Sequence, residues 1–248
     1  MYSVENTWEE VRDAQVDTAI VSFGSVEQHG HHLPLGVDWM IADAMARRLG
    51  EELGAYVLPA MPFGCSREHM AFPGTVSLRP STLASVLDDV VESLYQHGFR
   101  KIVLLSTHGG NWVLKPTMRE LNYKHEDLTI VWAGGPVPDE GDAVPRETHA
   151  GEGETSAMLA LRPDLVKIDR ARDCEGIVGQ EFNDYVGYDK TTSTGAWGVP
   201  SQANGELGEH RLGEAVLKRA RYVRWAFAKV DELKGRPGAL GPETTEQG

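Results

Sequence analysis

The sequence has few cysteines and few basic residues for its length. Its two cysteines, Cys65 and Cys174, lie far apart and form neither a CxxC motif nor a zinc-ribbon spacing, so we expect two free thiols in a reducing cytosol. Lysine and arginine number 24 against 37 aspartates and glutamates, which gives a formal net charge of −13. This balance argues against binding to nucleic acid, whose phosphates attract a basic surface, and against binding to an anionic membrane.

Several common functional signatures are also absent. No apolar run approaches the length of a transmembrane helix, and the first residues, MYSVE, lack the basic and apolar segments of a signal peptide. The chain has no GxGxxG or P-loop sequence, and Ser25 and Ser66 lie outside any GxSxG nucleophile elbow. We therefore expect a cytoplasmic protein that uses neither a nucleotide cofactor nor an activated serine.

Apolar runs alternate with helix-like patterns along most of the chain. Strands are predicted over residues 18–23, 56–59, 101–106 and 128–133, and helices start near residues 38, 81, 112, 154 and 206. This order is typical of an α/β fold with a mainly parallel sheet, and right-handed crossovers place helices on both faces, which gives three α/β/α layers. We find no repeat, so residues 1–235 are predicted to form a single domain and residues 236–248 a flexible tail.

The most informative stretch is EQHGHHLPLGVD, residues 27–38, which follows the first long strand. In an extended backbone, residues two apart point to the same side, so Glu27 and His29 can reach one point. The glycines and proline that follow bend the chain and can return Asp38 to that point. Imidazole nitrogen and carboxylate oxygen are ligands for zinc, manganese or iron(II). The stretch therefore indicates a metal site, although histidine and glutamate also occur in loops that are merely solvated.

A second polar cluster begins at His108, directly after the strand over residues 101–106. It has the sequence HGGN, in which the two glycines permit a close approach of the backbone to a metal or substrate. Asn111 can cap the helix that follows. A tight turn with an incidental histidine explains the same residues equally well.

A third cluster, HAGEGETS, contains His149 and opens a predicted helix. Glu152 and Glu154 lie at the helix start, where carboxylates interact well with the helix dipole. Of the two, Glu154 is the better candidate ligand, because His149 would share its pocket. Ligands bind at the carboxyl ends of strands in open α/β sheets, so we expect all three clusters to meet at one edge of the sheet.

Glu68 and His69 precede the sequence FPGT. They either line the mouth of the same pocket or form a surface pair on an ordered Pro-Gly turn. The chain over residues 64–69, 134–148 and 173–209 is predicted to be irregular and to carry the substrate specificity.

These clusters together resemble the signatures of a known family. The sequence SVEQHGHHLPLGVD is similar to the first signature of the creatininase family of amidohydrolases, and EHMAFPGT, HGGN and HAGEGETS resemble its later signatures in the same order. The resemblance implies a compact α/β/α domain, commonly assembled as a homo-hexamer, with two divalent metal ions per chain. It also implies that Glu27, Asp38 and His108 hold one ion and that His29 and Asp38 hold the other.

The chain departs from the family pattern at one ligand. Creatinine-cleaving members have a metal-binding glutamate two residues after the histidine of the third signature, where this chain has Gly110. The second ion therefore needs another ligand, for which Glu154 is our candidate. The departure also weakens the case for creatinine as the substrate.

The resemblance further implies the reaction. Two divalent cations lower the pKa of a shared water from about 15.7 toward 7, so that a bridging hydroxide attacks the carbonyl of a small-molecule substrate. His149 matches the family's catalytic histidine and would protonate the leaving nitrogen. We expect cleavage of a non-peptide or cyclic C–N amide bond.

Other reactions stay open. The sequence HGGN looks more like formamide deformylases of flavin and deazaflavin synthesis, the mycofactocin peptide-trimming enzyme, and hydrolases that cleave a C–C bond of inositol-derived cyclic ketones. A non-catalytic scaffold with a structural metal is a more remote alternative, because structural zinc sites are usually closed and rich in cysteine.

Overall fold

The computed structural model describes residues 1–134 and 149–236. A five-stranded sheet lies at its centre, formed by Tyr2–Ser3 (β1), Thr18–Phe23 (β2), Tyr56–Val57 (β3), Lys101–Ser106 (β4) and Thr129–Trp132 (β5). Across the sheet the order is β1, β3, β2, β4, β5, and each neighbouring pair is parallel. The predicted α/β class with a mainly parallel sheet is confirmed.

Helices connect and cover these strands. In the described residues they are Trp8–Ala14 (α1), Val37–Leu53 (α2), Pro80–Gln96 (α3), Leu114–Lys124 (α4), Glu152–Leu161 (α5), Tyr188–Thr191 (α6) and Gly205–Lys234 (α7). Helix α1 starts at a capping box between Thr7 and Glu10. The side chain of Asn204 accepts a hydrogen bond from the first turn of α7. Local capping thus explains where two of the helices begin.

Two apolar clusters fill the space on opposite faces of the sheet. Ile20, Val103 and Leu105 point to the cluster that includes α2, α5 and α7. Their neighbours Val21 and Leu104 point to the other cluster, which includes α3 and α4. Because successive strand residues face opposite sides, strands covered on both faces are apolar throughout. The helices on both faces give the expected three layers.

Some predicted boundaries differ from the structure. The two-residue strand β1 was not expected, and α5 begins at Glu152, two residues earlier than predicted. The irregular segment before α7 contains the short helix α6 and 3₁₀ turns. Most of the segment 134–148, which was predicted to be irregular, and the predicted tail from residue 237 onward lie outside the described residues. No helix in the described ranges is both long and apolar enough to span a bilayer.

Candidate metal centre

The loop after β2 brings Asp38 back beside the first ligand candidates. Gly24 follows the strand, and a Cβ there would lie 2.4 Å from a backbone nitrogen in the first turn of α2, so this approach requires glycine. The Glu27 N–H donates to the Leu35 carbonyl (2.9 Å) and closes the loop. The Ser25 hydroxyl then donates to Asp38 Oδ2 (2.6 Å). The start of α2 is thereby held against the end of β2.

Two groups of potential ligand atoms share Asp38. In the first group, His108 Nδ1 lies 3.5 Å from Asp38 Oδ2, and the Nε2 edge of the same ring lies 3.2 Å from Glu27 Oε2. In the second group, His29 Nε2 lies 3.7 Å from Asp38 Oδ2 and 3.8 Å from Glu154 Oε2. Ligand atoms within each group lie within 4.8 Å of one another, as expected when each binds one cation at about 2.0–2.2 Å. The structure therefore brings all five predicted ligands together.

Backbone carbonyls orient two of the imidazoles. His29 Nδ1 donates to the Glu27 carbonyl (3.1 Å), and the buried Nε2 of the same ring has no hydrogen-bond partner. His108 Nε2 donates to the Cys65 carbonyl (2.8 Å), which leaves Nδ1 facing Asp38. Fixing one ring nitrogen as a donor leaves the lone pair of the other for a metal, as in most metal-binding histidines.

The cluster places several carboxylates where water is excluded. Glu27 is 0% exposed and neither of its carboxylate oxygens accepts a hydrogen bond. Burial raises the pKa of Glu27 to about 8 and also raises the pKa values of Asp38 and Glu154. Burial lowers the pKa of His29 to about 3, whereas at His108 the carboxylates outweigh burial and raise the pKa to about 9. Buried acceptors without partners, together with this oxygen and nitrogen donor set, fit divalent cations.

Position 110 has no room for a side chain. A Cβ on Gly110 would lie 2.1 Å from the Cys65 carbonyl oxygen and 2.4 Å from His108 Nε2. The carboxylate of Glu154 reaches the second group from α5 instead, and the Ala150 N–H donates to its Oε2 (2.6 Å). Glu154 thus occupies a place from which it could replace the missing carboxylate, and its role as a ligand stays a prediction.

His149 is buried next to the two groups. Its Nε2 donates to the Gln28 carbonyl (2.7 Å), and its Nδ1 lies 3.7 Å from Glu27 Oε1. The ring centroid is 4.3 Å from that of His29, and Glu27, His29 and His149 form a third set of potential ligands. Burial lowers the pKa of His149 to about 3. In the metal-free protein its ring is therefore neutral, and Nδ1 faces the carboxylate of Glu27.

His69 lies deeper than the sequence suggested. It is buried, so the alternative of a surface pair on a Pro-Gly turn is wrong for this residue. Its Nδ1 accepts from Gln28 Nε2 (2.9 Å), and its Nε2 points at Glu27 Oε1 (3.3 Å). The Gln28 side chain also accepts a hydrogen bond from the Gly30 N–H at its Oε1 and donates one from its Nε2 to the Gly195 carbonyl. This Gln28–His69 pair was not predicted from the sequence. The available signal was the position of Glu68 and His69 shortly before the sequence FPGT.

Asn111 also differs from its predicted role. It does not cap α4; its Oδ1 accepts from the Cys65 N–H (2.9 Å) and its Nδ2 donates to the Gly24 carbonyl (3.0 Å). It joins three loops at the carboxyl end of the sheet, so its contribution is to place the backbone around His108.

The cluster opens into a cavity of about 1420 Å³. Glu27, His108 and His149 form part of its lining, together with the exposed side chains of Trp112 and Tyr185. The volume exceeds the roughly 300–1,000 Å³ that is usual for small-molecule sites. Glu27, His108 and His149 therefore border a cavity large enough for a substrate.

Comparisons with known proteins identify the family of this chain. The creatininase family model, described as creatinine amidohydrolase, matches residues 4–223. The chain is 32% identical to creatinine amidohydrolase of Pseudomonas putida, over 90% of this chain and 96% of that protein. It is 37% identical to the mycofactocin precursor peptide peptidase of Mycolicibacterium smegmatis, over 86% of this chain and 87% of that protein.

Solved structures give the same result. The crystal structure of creatinine amidohydrolase superimposes with a TM-score of 0.77 at 30% identity, covering 91% of this chain and 97% of the other. Similar structures include a creatininase variant of Zn-Zn type and a manganese creatininase. With a family match over most of its length, the same fold and a buried ligand cluster, this chain belongs to the creatininase family and is a hydrolase.

Proposed function

We propose that this protein hydrolyses a C–N amide bond with the help of two divalent cations. The observation that carries the proposal is the pair of ligand groups that share Asp38, in which the buried acceptor atoms of Glu27 and His29 have no hydrogen-bond partner. Glu27, Asp38 and His108 would hold one cation, and His29, Asp38 and Glu154 the other. Zinc, manganese and iron(II) all suit these oxygen and nitrogen donors.

The cations and His149 would divide the chemistry. Bound divalent cations supply a water of lowered pKa and a Lewis acid for the amide carbonyl. His149 has its Nε2–H occupied by the Gln28 carbonyl, so its Nδ1 is the atom that can take up a proton and pass it to the leaving nitrogen. Because Nδ1 lies 3.7 Å from Glu27 Oε1, the proton is carried next to the ligand cluster.

The substrate we propose is a small molecule with a non-peptide or cyclic amide. The names of both relatives imply cleavage of an amide bond, since one is an amidohydrolase and the other is a peptidase. The wide cavity favours a substrate larger than creatinine. Deformylation of a formamide, trimming of a peptide and C–C cleavage of a cyclic ketone are the alternatives within the family.

The assembly is a separate part of the proposal. We expect a cytoplasmic homo-oligomer, a hexamer by family resemblance, built from one domain over residues 1–235. Light scattering coupled to size-exclusion chromatography measures the mass directly. A chain mass of 27.2 kDa for the purified, metal-loaded protein would contradict an oligomer.

The function is tested on protein stripped with a chelator and reloaded with zinc, manganese or iron(II). Elemental analysis should give about two ions per chain, and mass spectrometry should detect products from a panel of creatinine, formamides, short peptides and cyclic ketones. Amide cleavage releases an amine, whereas ketone cleavage does not, so the products distinguish the reactions. Fewer than two ions per active chain would overturn the dinuclear proposal.

A further inference from the structure

Two exposed arginines, Arg67 and Arg79, line the same cavity. Their two segments are joined by a parallel bridge between Gly64 and Ser77 and by a hydrogen bond from the Leu78 N–H to the Gly64 carbonyl (2.8 Å). Arg67 lies three residues after Gly64, and Arg79 lies two residues after Ser77. Both arginines are exposed and line the cavity that contains the ligand cluster.

Neither guanidinium group is paired with a described side chain. Within residues 1–134, 149–179 and 182–236, Arg67 and Arg79 form no ion pair or side-chain hydrogen bond. Other arginines of the same chain are paired, for example Arg48 with Glu209 and Arg211 with Glu152. Like charges on adjacent segments repel one another, and in a chain of net charge −13 a carboxylate partner would be easy to supply. Two unpaired arginines facing one cavity are therefore suited to an anion that arrives with the substrate.

Aromatic surface lies in the same cavity. Trp112 is 64% exposed and Tyr185 is 81% exposed, and both line the cavity. Exposed aromatic rings of this size are typical of binding surfaces, where they contribute apolar contact area with little loss of conformational freedom. The cavity lining thus combines two cationic side chains, flat apolar surface and several metal-ligand candidates.

We propose that Arg67 and Arg79 bind a carboxylate or phosphate carried by the substrate at a distance from the scissile bond. The inference rests on the proposed amide hydrolysis and narrows its substrate class to anionic amides, which excludes neutral creatinine as the natural substrate. Planar guanidinium groups bind carboxylate and phosphate oxygens in pairs, which fixes orientation as well as affinity. The carboxylates in the two ligand groups would repel such an anion, so binding requires the cations that neutralise them.

Hydroxamates test this inference, because they bind divalent cations without being cleaved as amides. The probes are acetohydroxamate, the monohydroxamate of succinic acid, its uncharged carboxamide analogue and a phosphonate analogue of the same length. Calorimetry on metal-loaded wild-type protein should give at least about tenfold tighter binding of the anionic probe than of the carboxamide. The preference should shrink as salt is raised, because both arginines are exposed.

Variants separate this subsite from the metal centre. The double variant Arg67→Gln/Arg79→Gln should bind the charged and uncharged probes equally and keep its affinity for acetohydroxamate. Arg170→Gln, an exposed arginine outside the cavity lining, is the matched control and should keep the preference. If acetohydroxamate does not bind the loaded wild-type protein, the proposed function fails. If all probes bind without preference for an anion, only the arginine subsite is wrong. If the preference is seen, the tighter-binding of the carboxylate and phosphonate probes shows which anion the two arginines favour.

Discussion

Leu87 on α3 and Glu27 after β2 are both completely buried, but their surroundings differ. Leu87 packs among apolar side chains, where removal from water stabilises the fold by roughly 25 cal/mol per Å² of apolar surface. Glu27 lies beside Asp38, His69 and His108 and its carboxylate accepts no hydrogen bond, so burial destabilises its ionised form. The apolar layers therefore stabilise the fold by themselves, whereas we expect the carboxylate cluster to depend on bound cations.

The substitution Asp38→Ala should have the largest effect, because Asp38 belongs to both ligand groups. We expect both ions to be lost and turnover to fall by about 10³-fold or more. Elemental analysis and a product assay measure the two losses. Asp43→Ala removes a carboxylate from the same helix outside the ligand groups, and should keep two ions. Two tightly bound ions in Asp38→Ala would rule out the shared-ligand arrangement.

The substitution His149→Ala separates proton transfer from metal binding. We expect two ions to stay bound while kcat falls by about 10²–10⁴-fold, which is the usual contribution of a positioned acid or base. Added imidazole should recover part of the loss, since the missing group is a proton carrier. Because Glu27, His29 and His149 also form a possible ligand set, loss of an ion from this variant would make His149 a ligand instead. Normal turnover would remove it from the mechanism.

The parts of the molecule that could be predicted are those with a local pattern. The strand runs over residues 18–23 and 101–106 are long enough for their apolar character to be distinctive, and the structure has β2 and β4 over the same ranges. Strand β1 has two residues, which is too short for any periodicity, and it forms only by pairing with β3. The five ligand candidates could be grouped because motifs at strand ends converge in a parallel sheet.

Residues whose surroundings come from distant parts of the chain could not be placed. His69 is buried by contacts with Gln28, 41 residues away, and with Tyr188, whose ring stacks on it at 4.2 Å. Asn111 was expected to cap a helix, which is its local preference, but hydrogen bonds to Cys65 and Gly24 hold it elsewhere. In each case tertiary contacts outweigh the local tendency.

Truncating a side chain in an apolar layer tests whether these layers stabilise the fold independently of the carboxylate cluster. Leu87→Ala should lower the free energy of unfolding by about 2–5 kcal/mol, because it leaves a cavity in a closely packed cluster. Metal affinity measured by chelator competition should not change, since α3 contributes no ligand candidate. A weaker metal affinity in this variant would mean that the core and the ligand cluster are not independent.

Glu27→Gln should instead raise the free energy of unfolding of the metal-free protein. The pKa of Glu27 is raised to about 8 in the fold, so between pH 4.5 and 8 the folded chain keeps a proton that the unfolded chain releases. The free energy of unfolding therefore falls as pH rises through this window. The neutral amide removes that slope and should stabilise the metal-free protein near pH 7 by about 1–3 kcal/mol, while abolishing stabilisation by added metal. Urea unfolding at several pH values measures both effects, and an unchanged slope would contradict them.

The smallest expected effect belongs to His69, which touches the ligand cluster without belonging to either ligand group. Because Gln28 occupies its Nδ1, the proton lies on Nε2 and faces Glu27 Oε1. In the structure these two atoms lie 3.3 Å apart without forming a hydrogen bond. We expect the bond to form when Glu27 binds a cation, and the loss of such a bond to a ligand carboxylate typically weakens metal binding about 10–100-fold. We expect that loss of affinity in His69→Phe, which keeps an aromatic ring against Tyr188. His69→Gln places an amide N–H near the same position and should recover much of the affinity, whereas equal affinities in all three proteins would show that the ring only fills space.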